Sequence, residues 1–344
     1  MSGPRNGAID GIKAMAILGT LLIHTSAPGL VAWPAGSFSW TADLFWSSVL
    51  RCAVPVFLMC SGALFLPESK ALTLGTLWRK YILRIFIALA VWSGAYALWN
   101  QLVVFSDGSV KTALLDWACF RHKYHLYYLV VLLAVYALLP VLRLLVRHGD
   151  RALLRYFLVL WFLCGSLLPV LFSLPPLSAA EGYVRQYALS FTVSAPGYCL
   201  AGYCISRLGG RWPARLYALV YLAGLALTFG GTWALSLKGG TLSDLLLSGT
   251  APGVTLQALG LYGLGCALWR GRRMPRGVEI LSRASFCVYL IHPLFLDVMG
   301  HFGFSAAGCQ PLWTVPAQSG LLLVLGVLCW QVLRRVPFVR TYLI

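Results

Sequence analysis

Apolar residues run along this chain in stretches of twenty or so, parted by short polar breaks where lysine and arginine collect. Ten stretches, near residues 10–32, 43–66, 80–104, 125–146, 152–173, 187–206, 215–236, 243–269, 279–300 and 312–334, are long enough to cross about 30 Å of hydrocarbon. The fourth and fifth are joined by a short basic turn, and there is no low-complexity tract, heptad run or short repeat. Amphipathic patterns over Thr73–Arg84 and Ala113–Phe120 predict helices that lie on the membrane surface. The fold class this predicts is all-α: a polytopic integral membrane protein of about ten transmembrane helices.

Composition and charge sharpen that picture. Hydrophobic residues make up 59% of the 344 and charged ones 11%, with a mean hydropathy of +0.78, so little sequence is left for a soluble domain. With the N-terminus placed in the cytoplasm, 21 of the 27 lysines and arginines fall on the inner side, five (Lys111, Arg121, Lys123, Arg185 and Lys238) on the outer, and Arg51 within a span. Positive-inside bias therefore predicts cytoplasmic N- and C-termini. The net charge of +17 is a topology signal spread over the span ends, and it does not form the basic face of a nucleic-acid binder. The first apolar stretch holds Asp10, Lys13 and His24 and has no small-x-small cleavage site, which predicts a retained first helix. Eight of the ten cysteines lie in apolar stretches and no CxxC occurs, so no metal site is expected. Cys119 and Cys309 fall in proposed outer loops, and whether they pair is left open.

The residues that carry chemistry are the polar ones inside the spans. Lys13 and His24 are separated by eleven helical steps, three turns plus about 20°, so both leave one face of the first helix, roughly 16 Å apart along its axis. Thr20 shares that stripe. Lys13 then stands at a membrane boundary and His24 near mid-bilayer, where an ionisable side chain is a functional-site hypothesis by default. Arg51 interrupts the second span in line with Pro55, Leu58 and Gly62, and reads either as a snorkelling charge or as a charge held in a cavity. His292 lies nine residues beyond Arg283, roughly 14 Å into the membrane, and reads either as a helix-to-helix hydrogen bond or as part of the same cavity as His24 and Arg51. The proline that follows it removes a backbone donor. At the start of the fourth span, His125, Tyr127 and Tyr128 suit an aromatic belt or contact with a polar acceptor. Arg79, Lys80 and Arg84 suit topology and anionic lipid or a polyphosphate clamp. No Walker or dinucleotide-binding context is present.

Asp10-Gly-Ile-Lys13 followed by ten residues and His24 resembles the signature first span of the acyltransferase family 3 membrane proteins. The run VPVFLMCSGALFL from Val54, the RK…R opening of the third span, YHLYYL, GYCLAGY from Gly197 and SFCVYLIHP recur in that family's order, so that the resemblance covers essentially the whole chain. It implies a single transmembrane acyltransferase domain over residues 1–344, similar to the stand-alone O-acetyltransferases of bacterial surface glycans in the cytoplasmic membrane. It further implies an acyl-CoA, usually acetyl-CoA, as co-substrate with no permanently bound cofactor, and a hydroxyl of a cell-surface or lipid-linked carbohydrate as acceptor. His24 takes the position of the family's essential histidine and Lys13 that of its basic partner, a lysine where arginine is commoner. Arg79, Lys80 and Arg84 match the stretch associated with donor handling, and Asp10, His125, Tyr127 and Tyr128 are candidate substrate contacts. Cys60 and Ala63 depart from the larger residues common in the second-span motif.

Acyl transfer from a thioester to an alcohol needs a base for the hydroxyl and a stabiliser for the developing oxyanion. His24 is the candidate base, Arg51 the stabiliser and His292 a positioning or proton-relay group. A non-enzymatic reading, an exporter or flippase of polysaccharide or lipid-linked sugar, uses the same central charges, but the matching halves of an inverted-repeat transporter are absent.

Overall fold

The computed structural model describes residues 6–104, 109–119, 123–175, 177–180, 194–208 and 212–344. Among these, nine helices are long and apolar enough to cross a membrane, each beginning or ending within a few residues of a predicted stretch. Helix α1 spans Gly7–Ala32. The second span is split into α2 (Phe38–Val49) and α3 (Ala53–Phe65). Then come α4 (Leu74–Val104), a short α5 (Val110–Ala118), α6 (Tyr127–His148) and α7 (Arg151–Leu171). The chain continues through α8 (Ser194–Leu208), α9 (Ala214–Gly239), α10 (Pro252–Trp269), α11 (Arg276–His301) and α12 (Pro311–Leu333). Helix α8 occupies the end of the predicted 187–206 span; residues 187–193 lie outside those described, as do Arg5, Phe120, Arg121, Arg185 and Arg211.

Local sequence sets these boundaries. The Asn6 side chain accepts the Ala8 N–H at 3.1 Å, Ser37 that of Trp40 at 3.2 Å and Asp150 that of Leu153 at 2.7 Å, each satisfying an amide that the first turn of a helix leaves without a partner. Two expectations change. Thr73–Arg84 does not form a separate surface helix: it is the opening of α4, continuous to Val104, with Leu77, Ile82 and Ile85 buried and a π-helical stretch at Leu77–Ile82. The wider π register turns those three apolar positions inward together. The stripe from Arg51 through Pro55 to Gly62 is also interrupted, because the second span breaks at Leu50–Cys52 and Arg51 sits in the break.

Helix α1 is the hub, packed against α2, α3, α10, α11 and α12. Two other pairs depend on glycine. A Cβ on Gly62 would strike the Cys199 carbonyl and one on Gly202 the Met59 backbone, so α3 and α8 meet backbone to backbone. Gly224, Gly253 and Gly260 allow the same approach between α9 and α10. Small residues at such crossings give the dispersion contact that holds membrane helices together, since lipid offers no hydrophobic drive between them. All ten cysteines are free thiols, Cys119 and Cys309 among them.

Gly62→Ala is therefore expected to destabilise the protein by about 1–3 kcal/mol through overpacking, read as a lower thermal midpoint in detergent. Gly230→Ala, where an added Cβ meets nothing within 4 Å, should leave that midpoint unchanged or raise it.

Candidate functional site

The site is organised by α11. Pro293 has no amide hydrogen, so the carbonyl four residues earlier, that of Tyr289, loses its helical partner. The His292 ring supplies the replacement: its Nδ1 donates to the Tyr289 oxygen at 2.7 Å. A carbonyl can only accept, so Nδ1 carries the proton and Nε2 holds the lone pair. That Nε2 is buried and has no hydrogen-bond partner among the described residues.

His24, half-buried on α1, lies between two rings. His292 stacks on it with centroids 5.1 Å apart and planes at 29°, and Tyr124 covers it at 5.0 Å. His125 completes a set of three imidazoles, its centroid 5.4 Å from His292. Both ring nitrogens of His125 are buried without a partner among the described residues. Aromatic edges hold that ring: Tyr96 at 4.9 Å and Tyr289 at 5.4 Å. The Tyr289 hydroxyl donates to the His125 carbonyl, and the Tyr96 hydroxyl donates to the Leu290 carbonyl at 2.6 Å.

Tyr124 and His125 belong to a three-residue 3₁₀ turn, Tyr124–Leu126, that leads into α6. Beside it Lys123 pairs with Asp297 at 2.7 Å. Asp297 also accepts from the Trp99 indole at 3.1 Å, and Lys123 donates to Asn100 at 3.3 Å. Lys123, Tyr124, Tyr96, Trp99 and Asp297 were absent from the candidates read from sequence. The signal available was position: Lys123 stands two residues before His125 and Asp297 five after His292.

Arg51, in the break between α2 and α3, donates from Nε to the Leu247 carbonyl at 2.6 Å and from Nη1 to the Ser47 hydroxyl at 3.2 Å. It is close enough to His24 and Tyr127 for electrostatic interaction. The remaining candidates lie apart from the imidazoles. Lys13 is half-buried, three turns along α1 toward the arginine-rich end of the bundle. Thr20 is buried, but its hydroxyl is spent on the Ala16 carbonyl of its own helix at 3.1 Å. Asp10 accepts from the Ser282 hydroxyl at 2.7 Å and so joins α1 to α11 at that same end. Tyr128 is buried against Tyr289 and Phe57, with ring centroids 5.4 and 6.1 Å away. Tyr127 is exposed and lines a groove of about 370 Å³ with Pro55, Leu58, Val131, Ala134 and Tyr198.

At the arginine-rich end Arg79 and Lys80 are exposed. Arg84 is partly buried: it donates to the Ile344 carbonyl oxygen and lies 5.8 Å over the Phe286 ring. A cavity of about 570 Å³ opens nearby, lined by Thr73, Leu77, Arg143 and Arg147 among others. Among the described residues, no group of three His, Cys, Asp or Glu side chains is arranged to hold a metal ion.

The arrangement can move a proton. One imidazole has a fixed tautomer and a free lone pair, and a second, reachable ring is stacked on it. No curated protein and no solved structure matches the chain. A family model described as an acyltransferase domain matches residues 6–335, nearly the whole length, and on that match the chain belongs to acyltransferase family 3.

Proposed function

We propose that this membrane acyltransferase moves an acyl group, acetyl in the simplest case, from acyl-CoA to a hydroxyl of a cell-surface or lipid-linked carbohydrate. The bilayer would be the bacterial cytoplasmic membrane, with the arginine-rich end inside. Family membership favours the enzyme over the exporter. The observation that carries the mechanism is His24 stacked on His292, whose Nε2 lone pair is free.

In this reading the acceptor hydroxyl gives its proton to His24 and its oxygen attacks the thioester carbonyl. The tetrahedral oxyanion is met by Arg51. The carbon–sulfur bond then breaks, the new ester leaves on the acceptor, and the thiolate takes back the proton held on His24, so the reaction is balanced without another reactant. His292 holds the His24 ring in register and offers Nε2 as a relay, and His125, Tyr127 and Tyr128 flank the acceptor. The donor's phosphates stay at the arginine-rich end with Lys13, Arg79 and Lys80, and Arg84 behind them, near Asp10. A cysteine acyl-enzyme is not invoked, because Cys52, Cys60 and Cys199 are buried in apolar surroundings.

Purified protein incubated with labelled acetyl-CoA should pass label to a glycan acceptor. His24→Ala should lower kcat by roughly 10²- to 10⁴-fold, the usual range for a lost general base. His292→Ala should lower kcat with little change in donor KM. Full activity of His24→Ala would remove the base from the mechanism.

A second outcome concerns the donor. Arg79→Ala with Lys80→Ala should raise acyl-CoA KM severalfold and leave acceptor KM unchanged, because contacts to phosphate serve binding more than the chemical step. Arg84→Ala, which breaks the contact with Ile344, should also lower the thermal midpoint. An unchanged donor KM in the double variant, with normal insertion, would leave Arg79 and Lys80 as topology signals.

A further inference from the structure

The three imidazoles are not fastened equally. His24 and His292 project from long helices that pack directly on each other, α1 and α11. His125 and Tyr124 stand on a three-residue 3₁₀ turn with no side-chain cap, and short turns of that kind have poor hydrogen-bond geometry of their own. Besides the ring contacts of His125 with Tyr289 and His292, two polar side-chain contacts among the described residues tie this turn to α11: the Tyr289 hydroxyl on the His125 carbonyl, and Lys123 Nζ on Asp297 Oδ2 at 2.7 Å.

The ion pair is partly buried, with side chains 12% and 25% exposed, so it is screened less than a surface pair. It is also directional. Asp297 is oriented by the Trp99 indole and Lys123 by the Asn100 side chain, which places both at the end of α4. Lys123 immediately precedes Tyr124, and Asp297 follows His292 by five residues, about 7.5 Å along α11. One helix thus carries both the fixed-tautomer imidazole and the anchor for the turn that faces it.

We propose that Lys123 and Asp297 are positioning residues, whose ion pair holds Tyr124 and His125 against His24 and His292 and so keeps the acceptor end of the site in reactive register. This rests on the acyl-transfer reading above. Neither residue acts on the reacting atoms. They act through the turn, where a displacement of about 1 Å can cost 10²-fold in rate.

The test uses full-length protein in detergent or proteoliposomes: Asp297→Asn, Lys123→Met, and the exchange Lys123→Asp with Asp297→Lys. Two quantities are read, acetyl-CoA-dependent transfer and carbethoxylation of each histidine by diethyl pyrocarbonate, located by mass spectrometry. In the unaltered protein, exposed His148 and His301 should label readily, while buried His125 and His292 stay protected. The single variants should lose on the order of 10- to 100-fold in kcat with donor KM within about twofold, because the donor lies at the other end of the bundle. His125 should become labelled in them, and the exchange variant should recover both protection and part of the rate.

Unchanged kcat and unchanged protection would overturn the proposal while leaving the acyl-transfer reading intact. Labelling that rises at every buried histidine together with a collapse of the thermal midpoint, unrelieved by the exchange, would overturn it as well, by showing general unfolding. Selective exposure of His125, restored by the exchange, in a protein that never transfers acetyl would support the positioning role and defeat the proposed function instead.

Discussion

The hydrogen bond from His292 Nδ1 to the Tyr289 carbonyl is where backbone chemistry and site chemistry meet. A carbonyl left without an amide in hydrocarbon costs several kcal/mol, and Pro293 creates such a carbonyl. The side chain next to the proline removes that cost. In doing so it fixes its own tautomer and leaves Nε2 with a buried lone pair that has no partner among the described residues. Three further contacts come off the same helix within a few residues. Tyr289 donates to the His125 carbonyl, the Leu290 carbonyl takes the Tyr96 hydroxyl, and Asp297 takes Lys123. Around a proline that would only kink an ordinary helix, α1, α4 and the turn before α6 meet at one point.

Distance divides the proposed labour. Lys13 and His24 are on one helix but roughly 16 Å apart, so no single small group touches both. A donor anchored by charge at the arginine-rich end has to reach inward with its uncharged arm, which suits a molecule whose phosphates and thioester are far apart. The break in the second span serves the same division. Irregular backbone is tolerated at membrane depth where protein or a polar cavity surrounds it, and Leu50–Cys52 is enclosed in that way, with Cys52 buried and Arg51 bonded to Leu247 and Ser47.

Hydropathy located the nine spans seen among the described residues, because about twenty apolar residues are needed to cross the bilayer. Helical rise likewise put His24 and His292 at one depth, and their rings are stacked. The counting failed where its premise of an unbroken α-helix failed. At Arg51 the helix stops, and at Leu77–Ile82 it widens to a π register, so faces extrapolated through those points are displaced. Periodicity also states only which face of its own helix a residue occupies, and says nothing of which helix stands opposite. Lys123 and Asp297 are 174 residues apart, and no spacing rule connects them. His125 was legible as a polar residue at a span entrance, but its place beside His292 depends on how α6 sits against α11, which is a property of packing.

Packing is uneven, and the site lies across the unevenness. The span from Leu245 through α10 is 72% buried along its most apolar part, whereas the spans that hold α6 and α7 are 33% and 22% buried. Glycines bring α10 into backbone contact with α9, although α9 itself turns most of its surface outward and is only 17% buried. Elements with little buried contact open at low free energy. His24 and His292 belong to the tight side through α1 and α11, while Tyr124 and His125 belong to the entrance of α6. The relation between those two pairs is therefore not guaranteed by the core. It depends on the ring contacts of Tyr124 and His125 and on the few polar bonds that cross the seam, and in a bilayer interior, where water competes weakly for such bonds, a few are enough to help set it.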